Sequence, residues 1–343
     1  MARSGWWALA VTAMVVSGCK GGGSGTDDGT LGDDDDDDDA VHSTVPWSQV
    51  ETTMPECCSL VKTIFQWEEG ALTHSRAEWA VPEDPIGAVI ILHGSSGNIA
   101  AVQQAEWLQL YNVLYPRGIA ILMTQSIDRD SGQWSLEADP NNEDIDHIEE
   151  MIAAAAEATD LEVDDPIVTV GFSNGAAFSR VLADALLTRG RNVKGAVMHN
   201  GGPGAVAQGI PGLWVTAEND DTGGGADALG AWADEQADGT HFAGYEVPME
   251  RYRFAKVPAF TQNESSMLFD YIVDDLGWFD ADGVRQIEFE GDPDKFADQL
   301  TGDLQVNYAV DAMQQLRVVW ALHRMSSQFK LEEAAWIEER MLR

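Results

Sequence analysis

Cysteine is almost missing from this chain. Only Cys19, Cys57 and Cys58 occur in 343 residues. With Cys19 set apart near the N-terminus, two adjacent cysteines can neither build a disulfide framework nor supply zinc-ligand spacing. They are left to form a vicinal disulfide or to stay reduced. Basic residues are also scarce. Lys and Arg together number 20 against 58 Asp and Glu, a formal net charge of −38. Such a field repels nucleic acid and other polyanions and admits neutral or cationic substrates. Asp27, Asp28 and Asp33–Asp39 supply only a small part of the excess, so the acidity belongs mainly to the rest of the chain. Salt that screens it is expected to be tolerated. Internal repeats, phosphate loops, dinucleotide fingerprints and metal-ligand clusters are missing as well, and no cofactor is expected.

Long apolar runs are equally rare. Trp6–Val16, behind Arg3, has the length of a secretory signal core and is too short to cross a bilayer. It leads into Val16-Ser17-Gly18-Cys19, which resembles the lipobox of bacterial lipoproteins. The resemblance implies that residues 1–18 are a lipoprotein signal peptide and that Cys19 becomes a lipidated first residue. Several acyl chains on one cysteine would anchor the protein to a membrane outside the cytoplasm. Lys20, rather than Asp, follows the cysteine, the pattern that favours an outer membrane. Residues 19–40 then hold "GGGSGTDDGTLGDDDDDDDA". Gly, Ser and a run of mutually repelling aspartates cannot bury a core, so this segment reads as a disordered tether. Fully extended it reaches about 70 Å. The aspartate run resembles no EF-hand loop.

From residue 41 to 343 the pattern is that of one large domain. Val89–Leu92, Ala120–Met123, Ile167–Val170, Ala196–Met198 and Leu213–Val215 are unbroken apolar runs, the mark of strands buried on both faces. Helical patterns at about Ala100–Leu114, Asp144–Ala158 and Ala176–Thr188 alternate with them, which predicts an α/β fold with a parallel sheet. Val61–Trp67 and His74–Val81 read as an antiparallel lead-in. The rhythm breaks at about 223–310, which reads as a long insertion, a candidate lid, before the last strand. One helix is expected within it, Ser265–Leu276, capped by Thr261 or Asn263 and stopped by Gly277. Leu316–Leu322 reads as the last strand, followed by a helix over Leu331–Leu342.

The chemistry is carried first by "IVTVGFSNGAAF", Ile167–Phe178. Gly-x-Ser-x-Gly is a weak signal by itself. Here a strand feeds it and a helix leaves it, the context in which the serine sits exposed on a strained turn as a nucleophile. That nominates Ser173, with Gly171 and Gly175 removing the Cβ atoms that would collide there. A developing oxyanion needs two backbone N–H donors. One is assigned to Asn174, directly after the serine. The other is assigned to Ser95, in the His93-Gly94-Ser95-Ser96-Gly97 loop that ends an earlier strand. Gly94 allows close approach, and His93 shapes that loop rather than acting as a base.

From about Arg76 to Asn200 the chain resembles the α/β-hydrolase superfamily, and within it the secreted polyhydroxybutyrate-depolymerase and feruloyl-esterase type. The resemblance rests on "SRAEWAVPEDPIGAVIILHGSSGN", "EDIDHIEEMI" and "VTVGFSNGAAF". It implies a serine hydrolase that cleaves carboxylic esters of polyester, feruloyl or acetyl type, on a substrate that can be polymeric. It also places the triad acid in "IPGLWVTAENDDT", at Asp220, with Asp221 and Glu218 as rivals. Ala217 stands where the family carries a glycine. A histidine must follow the acid in chain order. His241 and His323 alone satisfy this, and His323, in a loop after the expected last strand, is preferred. A single helix running from Asn307 would instead make it structural. Two other functions share these features: a serine peptidase or amidase on the same fold, and a non-catalytic binding lipoprotein. Trp134, Trp214, Trp232 and Trp278 are candidates for a pocket wall or for packing.

Overall fold

The computed structural model describes residues 67–201, 209–220, 222, 239–257, 260–287 and 303–343. The signal-like segment, Cys19, the tether, the Cys57-Cys58 pair, Trp232 and Asp221 lie outside these residues, as does most of the first expected lead-in strand.

Eight strands form one sheet: β1 (Glu68–Ala71), β2 (Arg76–Ala80), β3 (Gly87–Leu92), β4 (Ile119–Met123), β5 (Ile167–Phe172), β6 (Val193–His199), β7 (Gly212–Ala217) and β8 (Gly239–Gly244). Their order across the sheet is β1-β2-β4-β3-β5-β6-β7-β8. β2 pairs antiparallel with both β1 and β4, and all other pairings are parallel. Six α-helices are described: α1 (Ala105–Leu114), α2 (Glu143–Ala158), α3 (Asn174–Thr188), α4 (Gln262–Asp270), α5 (Asp303–Val319) and α6 (Lys330–Met341). The fold is α/β, of the α/β-hydrolase type.

The unbroken apolar strands have a direct cause. Side chains alternate across a strand, so a strand covered on both faces must be apolar at every position. Val89 and Ile91 of β3 pack with Trp107 and Leu110 of α1 and Ile337 of α6. Ile90 and Leu92 point to the other side, against Ile148 of α2 and Phe178 and Leu182 of α3.

The topology also places a site. After β3 the chain moves to β4 on one side, then returns to lay β5 on the other side of β3. Such a reversal opens a crevice at the carboxyl ends of the strands. Leu92 is in register with Gly171, so the loops leaving β3 and β5 begin side by side.

Two expectations change. Among the described residues the last strand is β8, which lies inside the stretch read as an insertion and pairs in parallel with β7. The described residues between it and His323 therefore follow that strand rather than precede it. Leu316–Leu322 is not a strand. Through Val319 it is the end of helix α5, continued by turns in which Trp320 N–H donates to Leu316 O and Ala321 N–H to Val318 O. The apolar residues of this run have helical spacing on one face: Leu316, Val319 and Trp320 join Phe254, Phe260, Leu268, Ile272, Trp278 and Phe279 in a third core. A helix packed against a folded cap needs an apolar stripe, and a short stripe cannot be told from a buried strand by pattern alone. Within that cap, Thr261 caps α4 with a full capping box to Glu264. A π-helical turn, Tyr271–Asp275, continues α4, and Gly277 closes it at φ +64°.

Candidate active site

Ser173 leaves β5 at φ 56° and ψ −119°, outside the regions open to L-residues at low cost. The strain is held by its surroundings. Ser173 N–H donates to His199 O at the end of β6, 2.9 Å away, and α3 starts at Asn174. The two flanking glycines are required by contact. A Cβ on Gly171 would stand 2.1 Å from the carbonyl oxygen of Gly175, and one on Gly175 would stand 2.4 Å from that of His93.

His323 comes from the far end of the chain. Helix α5 unwinds at Ala321, which turns at φ 49°. Two asparagines hold the segment on either side of the histidine. Asn219 donates twice, from its N–H to Ala321 O (2.9 Å) and from Nδ2 to Trp320 O (2.8 Å). Asn200 Nδ2 donates to Arg324 O at 2.8 Å, while its Oδ1 accepts the Ala217 N–H at 2.6 Å. The imidazole is thereby set between two partners: Nε2 lies 3.0 Å from Ser173 Oγ and Nδ1 lies 2.8 Å from Asp220 Oδ2. Phe172 packs against its ring at 4.9 Å. Helix α5 and a histidine within reach of Ser173 coexist, because the turn at Ala321 redirects the chain.

Asp220 is enclosed, its side chain 1% exposed. Burial by itself pushes its carboxyl up, but hydrogen bonds from His323 and Thr222 outweigh that and hold it below the usual aspartate value. Glu218 turns elsewhere, its Oε2 accepting the Glu246 N–H. His241 lies within β8, in register with Trp214 of β7.

The loop after β3 lies against the serine. A Cβ on Gly94 would be 3.2 Å from Ser173 Cβ. Ser96 and Gly97 spend their amides on Ser131 O and Gly94 O. Ser95 sits at the head of this turn. Asn174 is the first residue of α3, where an N–H has no acceptor within the helix. Its side chain is engaged elsewhere: Oδ1 accepts Trp134 N–H at 2.7 Å and Nδ2 donates to Trp134 O at 3.3 Å.

His93 is tied into the scaffold. Nε2 accepts the Ser126 N–H at 3.1 Å, which leaves the proton on Nδ1, 2.8 Å from Gly94 O. Burial pushes this imidazole down to about 4, with Gly94 opposing and Arg129 assisting. Trp134 Nε1 donates to His93 O, and the indole stacks on Phe178 at 5.0 Å. Trp214 and Trp278 are also buried. Asp144, at the start of α2, accepts the N–H groups of Ile127 and Ser135, closing the strap that carries Trp134.

Asn200, Asn219 and Thr222 belong to no motif in the sequence. Asn200 directly follows β6 and Asn219 stands two residues past the end of β7, at the carboxyl ends of the strands where the crevice opens; that placement is the signal they carry. Among the described residues, no group of three or more His, Cys, Asp or Glu could hold a metal ion. The arrangement can do one thing directly: His323 can take the Ser173 proton while Asp220 stabilises the imidazolium.

No family model matches the chain, and no curated protein matches it either. Solved structures do. An esterase from Pyrobaculum calidifontis aligns at 14% identity and a TM-score of 0.40, covering 62% of this chain and 85% of its own. Acyl-protein thioesterase 2 from Zea mays aligns at 17% identity and 0.35, covering 53% and 96%. XC6422 from Xanthomonas campestris, described as an a/b serine hydrolase without lid, aligns at 14% and 0.38, covering 53% and 84%.

Proposed function

We propose that this protein is a serine hydrolase that cleaves carboxylic esters through an acyl-enzyme. The observation that carries the reading is His323 bridging Ser173 Oγ and Asp220 Oδ2, three groups from separate parts of the chain meeting at one strained serine. Ser173 Oγ attacks the acyl carbonyl as its proton passes to His323 Nε2. The tetrahedral oxyanion is bound by the Ser95 and Asn174 amides. Protonated His323 then gives its proton to the leaving alkoxide, which departs as the alcohol. Water, deprotonated by the same nitrogen, attacks the acyl-enzyme and regenerates Ser173 with release of the acid.

A cavity of about 300 Å3 is lined in part by Arg324 and Met325, the residues that follow His323, but by none of Ser173, Asp220 and His323. The N-terminal features support a lipid-anchored protein outside the cytoplasm, tethered through Cys19 and acting on ester groups, polymer-borne ones included.

The test is direct. Ser173→Ala is expected to fold like the parent and to lose both p-nitrophenyl ester hydrolysis and fluorophosphonate labelling. Turnover retained in that variant sinks the assignment. Labelled protein that cleaves peptide anilides but not short esters would instead make it a peptidase or amidase.

A further inference from the structure

We infer that Thr222 is a fourth member of the Ser173–His323–Asp220 relay, a positioning residue that holds the acid and the tautomer of the base. The inference rests on the reading of that relay as acyl-transfer machinery.

The hydrogen bonds around Asp220 carry the argument. Asp220 Oδ1 accepts twice from Thr222, from the backbone N–H at 3.0 Å and from the hydroxyl at 2.7 Å. Asp220 Oδ2 faces His323 Nδ1 at 2.8 Å. Both carboxylate oxygens are therefore engaged, and rotation of the carboxylate would break bonds to Thr222 and to His323 together. Thr222 Oγ1 also lies 2.9 Å from His323 Nδ1. Its own proton is committed to Asp220 Oδ1, so toward the imidazole it offers a lone pair. Nδ1 thus faces two acceptors, a carboxylate oxygen and a hydroxyl oxygen. Only the Nδ1–H tautomer satisfies both, and that tautomer leaves Nε2 free to accept the Ser173 proton. In the imidazolium the same Nδ1–H keeps both acceptors, so the hydroxyl helps where charge develops.

The backbone N–H bond from residue 222 to an aspartate two residues earlier is an ordinary Asx turn, open to any residue but proline. The hydroxyl is the part that a turn does not need. Thr222 itself is solvent-exposed, so removing its hydroxyl empties no core. Valine keeps the shape and the N–H, and serine keeps the hydroxyl.

The test compares the full-length parent with Thr222→Val and Thr222→Ser. The readouts are the rate of Ser173 labelling by a fluorophosphonate, kcat and KM on p-nitrophenyl acetate, and Tm. Expected for Thr222→Val is a loss of about tenfold or more in labelling rate and kcat, the scale of one hydrogen bond to a charged group. KM and Tm stay near the parent values, and Thr222→Ser returns most of the rate. A Thr222→Val protein labelled as fast as a labelled parent overturns the inference and leaves the hydrolase reading standing. A serine variant as slow as the valine one also overturns it, since the loss then follows the methyl rather than the hydroxyl. A parent that is never labelled removes the hydrolase reading and this inference with it.

Discussion

The Nδ2 of Asn219 lies 2.8 Å from the carbonyl oxygen of Trp320, 101 residues further along the chain. Asn219 immediately precedes Asp220, and Trp320 stands three residues before His323. One side chain thus locks the acid loop to the segment that presents the base. Asn219→Ala should leave the Trp320 carbonyl without this donor and let that segment shift. The expected cost is about 1–3 kcal/mol of stability. Catalysis should fall by about 10²-fold, since small misplacements of a catalytic group cost that much. Denaturant unfolding and fluorophosphonate labelling rates check the two effects separately. An unchanged labelling rate would show that the lock is not needed.

Gly171→Ala should be far more damaging than an ordinary glycine substitution in a strand. Its Cβ would meet the backbone of Gly175 at 2.1 Å, and backbone at a strained turn cannot give way as a side-chain tip can. Loss of soluble, labelled protein is expected. A stable, active alanine variant would contradict the observed turn.

Buried Glu106 joins three parts of the molecule. Its Oε1 accepts from Arg253 of the cap, and its Oε2 accepts both the N–H and the hydroxyl of Ser327, in the loop after the base. Burial alone pushes its carboxyl up, but Arg253, Lys256 and Ser327 overcome this and bring it down to about 2. Glu106→Gln should strand a buried cation and cost about 3–5 kcal/mol. Urea denaturation measures it. A loss below 1 kcal/mol would mean that the cation finds another partner.

Stability should fall on the acid side for a reason tied to His93. Its folded value, about 4, lies below the unfolded value near 6.5, so the unfolded chain binds the proton more readily. The contribution is fully present above pH 6.5 and is lost as pH falls from there toward 4. By linkage it amounts to about 3 kcal/mol. Asp220, also held low, adds a loss only at still lower pH, below the ordinary aspartate range. His93→Asn should flatten the slope of unfolding free energy between pH 6.5 and 4. A slope as steep as the parent's would place the titration elsewhere.

The formal charge of −38 makes salt the remaining lever. Repulsion among like charges is screened over about 10 Å at 0.1 M salt and over shorter distances at higher salt. Tm should rise from low salt to 1 M sodium chloride. A flat response would mean that the acidic surface carries no folding cost.

Much of the centre was legible because it is local. Strands β3 to β7 announce themselves by apolar runs with no alternation, since both faces are covered. The Ser173 turn reads directly as strand, Gly-x-Ser-x-Gly, helix. The cap was harder. β8, as long as β3, β5 and β7, is mostly small or polar, and it hid inside a stretch whose composition suggests loop. The end of α5 mimicked a strand because Leu316, Val318, Val319 and Trp320 cluster where a helix stripe and a buried strand look alike.

By itself the sequence determined which residue types were available: one serine on a strained strand-to-helix turn, a glycine-rich loop after an earlier strand, and acids and histidines in the right chain order. Those are properties of short windows, where steric and periodic constraints act between near neighbours. Tertiary structure alone decided which acid and which histidine meet that serine. Asp220 and His323 are 103 residues apart, and their meeting depends on Asn200, Asn219 and the turn at Ala321. Hydrogen bonds between distant segments leave no period and no spacing in the chain, so only the folded molecule contains them.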